Sequence, residues 1–171
     1  ECASNAIKKP SFLVGSHQDS SQTAKVADFG LSLRTLGPST ERVVDNPVWL
    51  APEVIRKKSY SHSSDVYAFG IIINEIFSLD LPFCNCKYSF MFQLEDQILD
   101  GARPSITPDT PTPVAELIAE CWTAQAEARP DFSEVVSRLG SLKSELTQEA
   151  QPNELNQDEQ NSEGDRNISD D

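Results

Sequence analysis

The segment from Asp65 to Phe77 carries Val66, Phe69, Ile71, Ile72, Ile73, Ile76 and Phe77, and these apolar positions fall on more than one face of a helix. A helix that is hydrophobic nearly all round has no side to offer to water, so other elements must surround it. The pattern predicts a central, buried helix in a helical domain. It does not predict a membrane span, because the apolar stretch from Val66 to Ile73 stops at Asn74-Glu75, whereas a span needs about 20 apolar residues. Leu81-Pro82 marks the end of the helical run.

The flanking segments supply narrower apolar stripes. Met91, Leu94 and Ile98 predict a short amphipathic helix closed by Gly101. Val114, Leu117, Ile118, Cys121 and Trp122 recur at i, i+3, i+4, i+7 and i+8, with Thr112 placed as N-cap and Pro113 as first helical residue. Phe132, Val135, Val136 and Leu139 repeat the stripe behind an acidic start at Asp131-x-x-Glu134. Upstream, Ser11-Phe12-Leu13-Val14 and Ala24-Lys25-Val26-Ala27 read as two short strands around a polar loop. A long loop bearing Ser and Thr follows, from Gly30 to about Val48.

Charge and glycine content exclude whole classes of function. Lys+Arg 14 against Asp+Glu 27 gives a formal net charge of -13, which argues against a nucleic-acid surface built on clustered cations. The excess is concentrated at the end: residues 143–171 hold Lys143 and Arg166 against 9 acids, with few large apolar residues. Such a segment buries too little to offset its ordering entropy, and it is expected to be a disordered acidic tail. The 7 glycines are nowhere closer than Gly30 and Gly37, so neither G-x-G-x-x-G nor G-x-x-x-x-G-K can be written. The 4 cysteines, Cys2, Cys84, Cys86 and Cys121, are too scattered for a disulfide framework and point to a reducing compartment. Cys84-x-Cys86 could offer two thiolates to a metal, but no second Cys/His pair lies at zinc spacing. Trp49, Tyr67 and Trp122 read as core aromatics with a polar edge. The chain starts at Glu1 and its only methionine is Met91, so 171 residues are expected to be a piece of a longer protein.

Several short motifs occur in one order. Asp28-Phe29-Gly30 follows a strand, Trp49-Leu50-Ala51-Pro52-Glu53 lies beyond it, Ser64-Asp65-Val66-Tyr67-Ala68-Phe69-Gly70 opens the apolar helix, and Cys121-Trp122 precedes Ala128-Arg129-Pro130. Together they resemble the C-terminal lobe of a eukaryotic protein kinase, over about residues 7–142. The wording from Asn46 to Val54 is most similar to the tyrosine-kinase-like group, whose members mostly phosphorylate Ser/Thr. The resemblance implies a mainly α fold: the helical C-terminal lobe of the α+β kinase fold with one short β-hairpin and without the N-terminal lobe. Residues 1–142 would be the partial kinase domain and 143–171 the tail. It also implies an intracellular, cytoplasmic setting, a protein substrate or signalling partner, and no nucleic acid.

The resemblance assigns roles residue by residue. Asp28 would ligate the Mg²⁺ that bridges the ATP phosphates, with Phe29 packed beneath it and Gly30 supplying backbone freedom. Ser32, Thr35, Ser39 and Thr40 would be activation-segment phosphorylation candidates. Glu53 and Arg129, 76 positions apart (129 − 53), would form a buried ion pair tying the end of that segment to the helical base. Asp65 would anchor the catalytic-loop backbone.

The catalytic loop departs from the family. Setting Pro10-Ser11-Phe12-Leu13-Val14 on the end of the family's H-R-D-L-K-x-x-N-F-L-V wording puts Ala6 at the catalytic Asp and Ser11 at the Mg²⁺-binding Asn, with only Lys8 retained. His17 and His62 are followed by Gln18 and Ser63, so no other register restores the loop. A lysine at the position of Lys8 is the Ser/Thr-kinase type. The expectation is a chain that neither transfers phosphate nor binds Mg-ATP tightly by itself. Truncation, a replaced N-terminal stretch and a pseudokinase that signals by docking each account for this.

Overall fold

The computed structural model describes residues 12–16, 22–27, 29, 46–56 and 60–149. Among these, two strands pair antiparallel, β1 (Phe12–Ser16) and β2 (Gln22–Val26), with Phe12 opposite Val26 and Ser16 opposite Gln22. The rest is helical: a 3-10 turn at Pro47–Trp49, then α1 (Pro52–Ile55), α2 (His62–Ser78), α3 (Met91–Leu99), α4 (Thr112–Cys121), a second 3-10 turn at Ala126–Ala128 and α5 (Phe132–Glu149). This is the expected mainly helical lobe with one hairpin. No helix among the described residues is long and apolar enough to cross a membrane.

Contacts divide the chain into a unit Glu1–Val135 and a unit Val136–Asp171. In the first, α2 packs chiefly on α4. The approach is close because Gly70 has no side chain; a Cβ there would lie 2.8 Å from Cys121 Cβ. Val66, Tyr67, Ile71 and Ile73 of α2 join Val114, Leu117, Ile118 and Cys121 of α4 in the core, with Leu94 and Ile98 of α3. The apolar face of α3 lies against the first 3-10 turn and α1.

α2 is buried on one side rather than all round. Asp65, Phe69, Ile72 and Ile76 follow one another at i, i+4, i+7 and i+11 along a stripe where nothing is fully buried, and Ile76 is 64% exposed. Among the described residues only Phe132 meets that stripe, at Phe69, and Phe69 and Ile72 are half-buried. The helix also starts earlier than its apolar run suggests. Ser61 is the N-cap, and Ser61 and Ser64 exchange hydrogen bonds in a capping box, so Asp65 lies in the first turn rather than at its head.

The other ends follow their local chemistry. α3 closes as a Schellman motif: Ala102 N–H donates to Gln97 O (2.8 Å) and Gly101 N–H to Ile98 O (3.1 Å), with Gly101 at φ 101°. α4 begins one residue before its expected start, with Pro111 at the cap and Thr112 already helical. Asp131 caps α5, accepting from Glu134 N–H at 2.8 Å. Of the stripe expected on α5, only Val135 is buried; Phe132 meets Phe69 edge-on at 5.6 Å between ring centres, and Val136 is exposed. α5 continues to Glu149, past the boundary expected at residue 142, because Lys143, Glu145 and Gln148 favour a helix despite their polarity.

Candidate functional site

Glu53 and Arg129 meet at the centre of the described site. Pro52 takes the first position of α1, where its missing N–H is no loss, and so sets Glu53 in the first turn. Arg129 leaves the second 3-10 turn extended (φ −78°, ψ 144°), the conformation required before Pro130. The two side chains then form a bidentate pair, Nη1 to Oε1 and Nη2 to Oε2, both at 2.8 Å. The Arg129 side chain has 0% of its surface exposed.

A buried guanidinium must satisfy five N–H groups, and here each has an acceptor. Besides Glu53, Arg129 donates through Nη1 to Ser63 O (2.7 Å), through Nε to Thr123 O (2.9 Å) and through Nη2 to Ala124 O (3.4 Å). Ser64 Oγ donates to Glu53 Oε1 at 3.0 Å. The pair therefore links α1, the start of α2 and the α4–α5 connection. Burial alone would push the Glu53 carboxyl up; the bonds from Arg129, its own backbone N–H and Ser64, with the charge of Arg129, hold it below 4.5.

Tyr67, wholly buried on α2, has two guanidiniums over its ring, Arg103 at 5.1 Å and Arg129 at 5.2 Å from the ring centre. Arg103 donates to Trp122 O (2.8 Å), Ile98 O (3.2 Å) and Ala102 O (2.7 Å), so it holds the ends of α3 and α4 together. Its pKa is lowered by burial, with a contribution from Arg129. The Tyr67 hydroxyl has no partner among the described residues, and burial pushes its pKa up to about 12. Nothing in the apolar periodicity marks Arg103; its position just past Gly101 and before Pro104 is the only sequence signal.

The other expected site residues are not brought to this centre. Asp65 sits exposed in the first turn of α2, about one turn from Ser61, and its carboxyl is raised by partial shielding from water, which His62 opposes. Phe29 is exposed rather than packed, because no apolar surface among the described residues receives it. Ala6, Lys8, Ser11, Asp28, Gly30, Ser32, Thr35, Ser39 and Thr40 lie outside the described residues. Cys84 and Cys86 are free thiols, and among the described residues no group of three or more His, Cys, Asp or Glu is placed to hold a metal.

Residues 12–139 match the family model described as protein tyrosine and serine/threonine kinase. Three proteins of Dictyostelium discoideum are similar over most of the chain. "Probable serine/threonine-protein kinase roco8" is 40% identical over 139 residues, 80% of this chain and 7% of that protein. "Cyclic GMP-binding protein C" is 40% identical over 140 residues, 80% of this chain and 5% of that protein. "Probable serine/threonine-protein kinase pats1" is 43% identical over 137 residues, 78% of this chain and 4% of that protein. The chain thus spans a small fraction of the length of these relatives. The chain belongs to the eukaryotic protein kinase family, and the part it carries is the family's helical C-terminal lobe.

Proposed function

We propose that the chain is the substrate-side lobe of an ATP-dependent protein Ser/Thr kinase and that by itself it does not transfer phosphate. The observation that carries the reading is the Glu53–Arg129 pair, which ties the end of the segment after Asp28-Phe29-Gly30 to the helical base. Phosphoryl transfer is achieved by positioning and electrostatics together, and this chain has no glycine-rich phosphate loop. In the completed domain Asp28 would hold Mg²⁺ beside the ATP phosphates, and Asp65 would receive backbone N–H groups of the catalytic loop. Ser32, Thr35, Ser39 and Thr40 would be the sites where phosphorylation orders the segment. Lys8 and the names of roco8 and pats1 favour Ser/Thr over Tyr as the acceptor. Residues 1–142 would belong to the kinase domain and residues 143–171 to an acidic tail. ATP as phosphodonor implies an intracellular setting.

A second reading, a pseudokinase module that acts by docking proteins, is favoured by Ala6 and Ser11 standing where the family has Asp and Asn. Labelled phosphate transfer from Mg-ATP to a generic protein substrate separates the two, using the full-length parent and its Asp28→Asn variant. The kinase reading expects transfer that the variant loses. A stable, folded parent without transfer supports the docking reading instead.

A further inference from the structure

We infer that the outer face of α3 is a docking surface for a cationic segment of a partner protein, one carrying Arg or Lys beside apolar side chains. The rings of Phe90 and Phe92 stack near-parallel there, with centres 5.6 Å apart and planes 10° from parallel. They are 62% and 59% exposed, with Met91 also open between them. Two large aromatics held against each other in water leave two ring faces free, and an open aromatic face attracts a guanidinium or ammonium group. The same side of α3 carries the exposed Asp96 and Asp100, following Phe92 at i+4 and i+8. Residues 76–101 hold four acids (Asp80, Glu95, Asp96, Asp100) against Lys87 alone. Aromatic faces beside carboxylates are complementary to a cationic, partly apolar segment. Nucleic acid and anionic lipid are repelled by the same charge, and a second copy would set these acids against themselves.

The face is rigidly mounted. The opposite side of α3 buries Leu94 and Ile98 against the first 3-10 turn and α1. Gln93 fixes the start of the helix by accepting from Ser89 N–H (2.7 Å) and Phe90 N–H (3.2 Å), while Gln97 donates to Lys87 O at 3.1 Å. An open groove of about 620 Å³, lined by Cys86, Lys87, Tyr88, Ser89, Gln93 and Gln97, runs beside the ring pair. A bound segment therefore has a fixed platform to lie along. Capture of the segment needs no ATP, so its failure is separable from failure of the phosphotransfer reading.

The test uses the 171-residue chain and a short fluorescein-labelled peptide that alternates Arg with Leu and carries one photoreactive benzoylphenylalanine. Saturable binding is expected, weakened about tenfold or more by the Phe90→Ser/Phe92→Ser pair and likewise by Asp96→Asn/Asp100→Asn. Binding should survive Glu145→Gln, and a peptide with Glu in place of Arg should not bind. The cross-link should map to residues 89–100, and circular dichroism should be unchanged because the replaced side chains are exposed. Equal affinity in every variant would reduce the effect to net charge and overturn the inference. So would cross-linking to the α2 stripe, or dissociation of a chain dimer by the Phe pair of substitutions, which would make a second copy the occupant.

Discussion

Arg129 places all five of its N–H groups on acceptors from three segments, so its loss strands Glu53 and empties three carbonyl partnerships at once. Breaking such a buried pair from one side costs about 3–5 kcal/mol, because the remaining charge keeps its desolvation penalty. Arg129→Ala should therefore lose about 3–5 kcal/mol in urea denaturation, while exposed Glu116→Ala on α4 should change stability by less than about 0.5 kcal/mol. Two groups of this centre also set the pH dependence. Glu53 is held below its ordinary 4.5, so its contribution is complete above that value and is lost as pH falls through the lower folded value. Tyr67 runs the other way: the unfolded chain releases its proton near 10.0 and the folded chain near 12, so stability falls with rising pH across that window. Tyr67→Phe should abolish the alkaline fall in the denaturation midpoint. With no partner lost by the hydroxyl, it should leave neutral-pH stability unchanged or higher by about 1 kcal/mol. An alkaline limb persisting in Tyr67→Phe would assign it to another group.

The elements were legible in proportion to how local their causes are. Leu94–Ile98 and Val114–Ile118–Cys121 announce α3 and α4 because each buries one stripe, and Gly101 marks the end of α3 because only a positive φ completes that turn. The start of α2 was misplaced since its boundary rests on two serines, Ser61 and Ser64, rather than on its apolar run. Its depth of burial was overstated for a different reason: periodicity shows which faces are apolar, not which have a neighbour. Phe69 and Ile72 are apolar yet only half-buried, and Ile76 is exposed. The Glu53–Arg129 pair was open to expectation only through the kinase resemblance, since no local rule joins residues 76 apart (129 − 53). The Tyr67–Arg103 contact, which depends on where three helices converge, was not expected at all. The far end of α2 offers its own test. Leu79 ends the helix in the left-handed region at φ 56° while 89% exposed. Glycine takes that conformation without the Cβ clash, so Leu79→Gly should stabilise by about 1 kcal/mol, read as a higher thermal midpoint. A lower midpoint would mean that the Leu79 side chain packs on something in solution.

At the scale of the molecule, the side of α2 that the described residues only partly cover decides behaviour in solution. Fully burying an Ile or Phe contributes about 1.5–3 kcal/mol, so leaving Ile76 and Phe77 exposed and Phe69 and Ile72 half-buried withholds an appreciable part of the roughly 5–15 kcal/mol typical of a whole domain. The chain should therefore sediment as a concentration-dependent, self-associating species and melt broadly. A monomer with a sharp, reversible and concentration-independent transition would contradict this. In the kinase reading, this partly covered face and the missing phosphate loop have one origin: the chain holds the side of the enzyme that presents a protein, without the side that grips the nucleotide. Asp28 alone cannot replace a phosphate cradle, since a single carboxylate ligand to Mg²⁺ leaves most of the triphosphate in water. The most direct measurement is calorimetric titration of Mg-ATP into the 171-residue chain. No saturable heat is predicted for the chain or its Asp28→Asn variant, whereas saturable micromolar binding that Asp28→Asn abolishes would contradict the account.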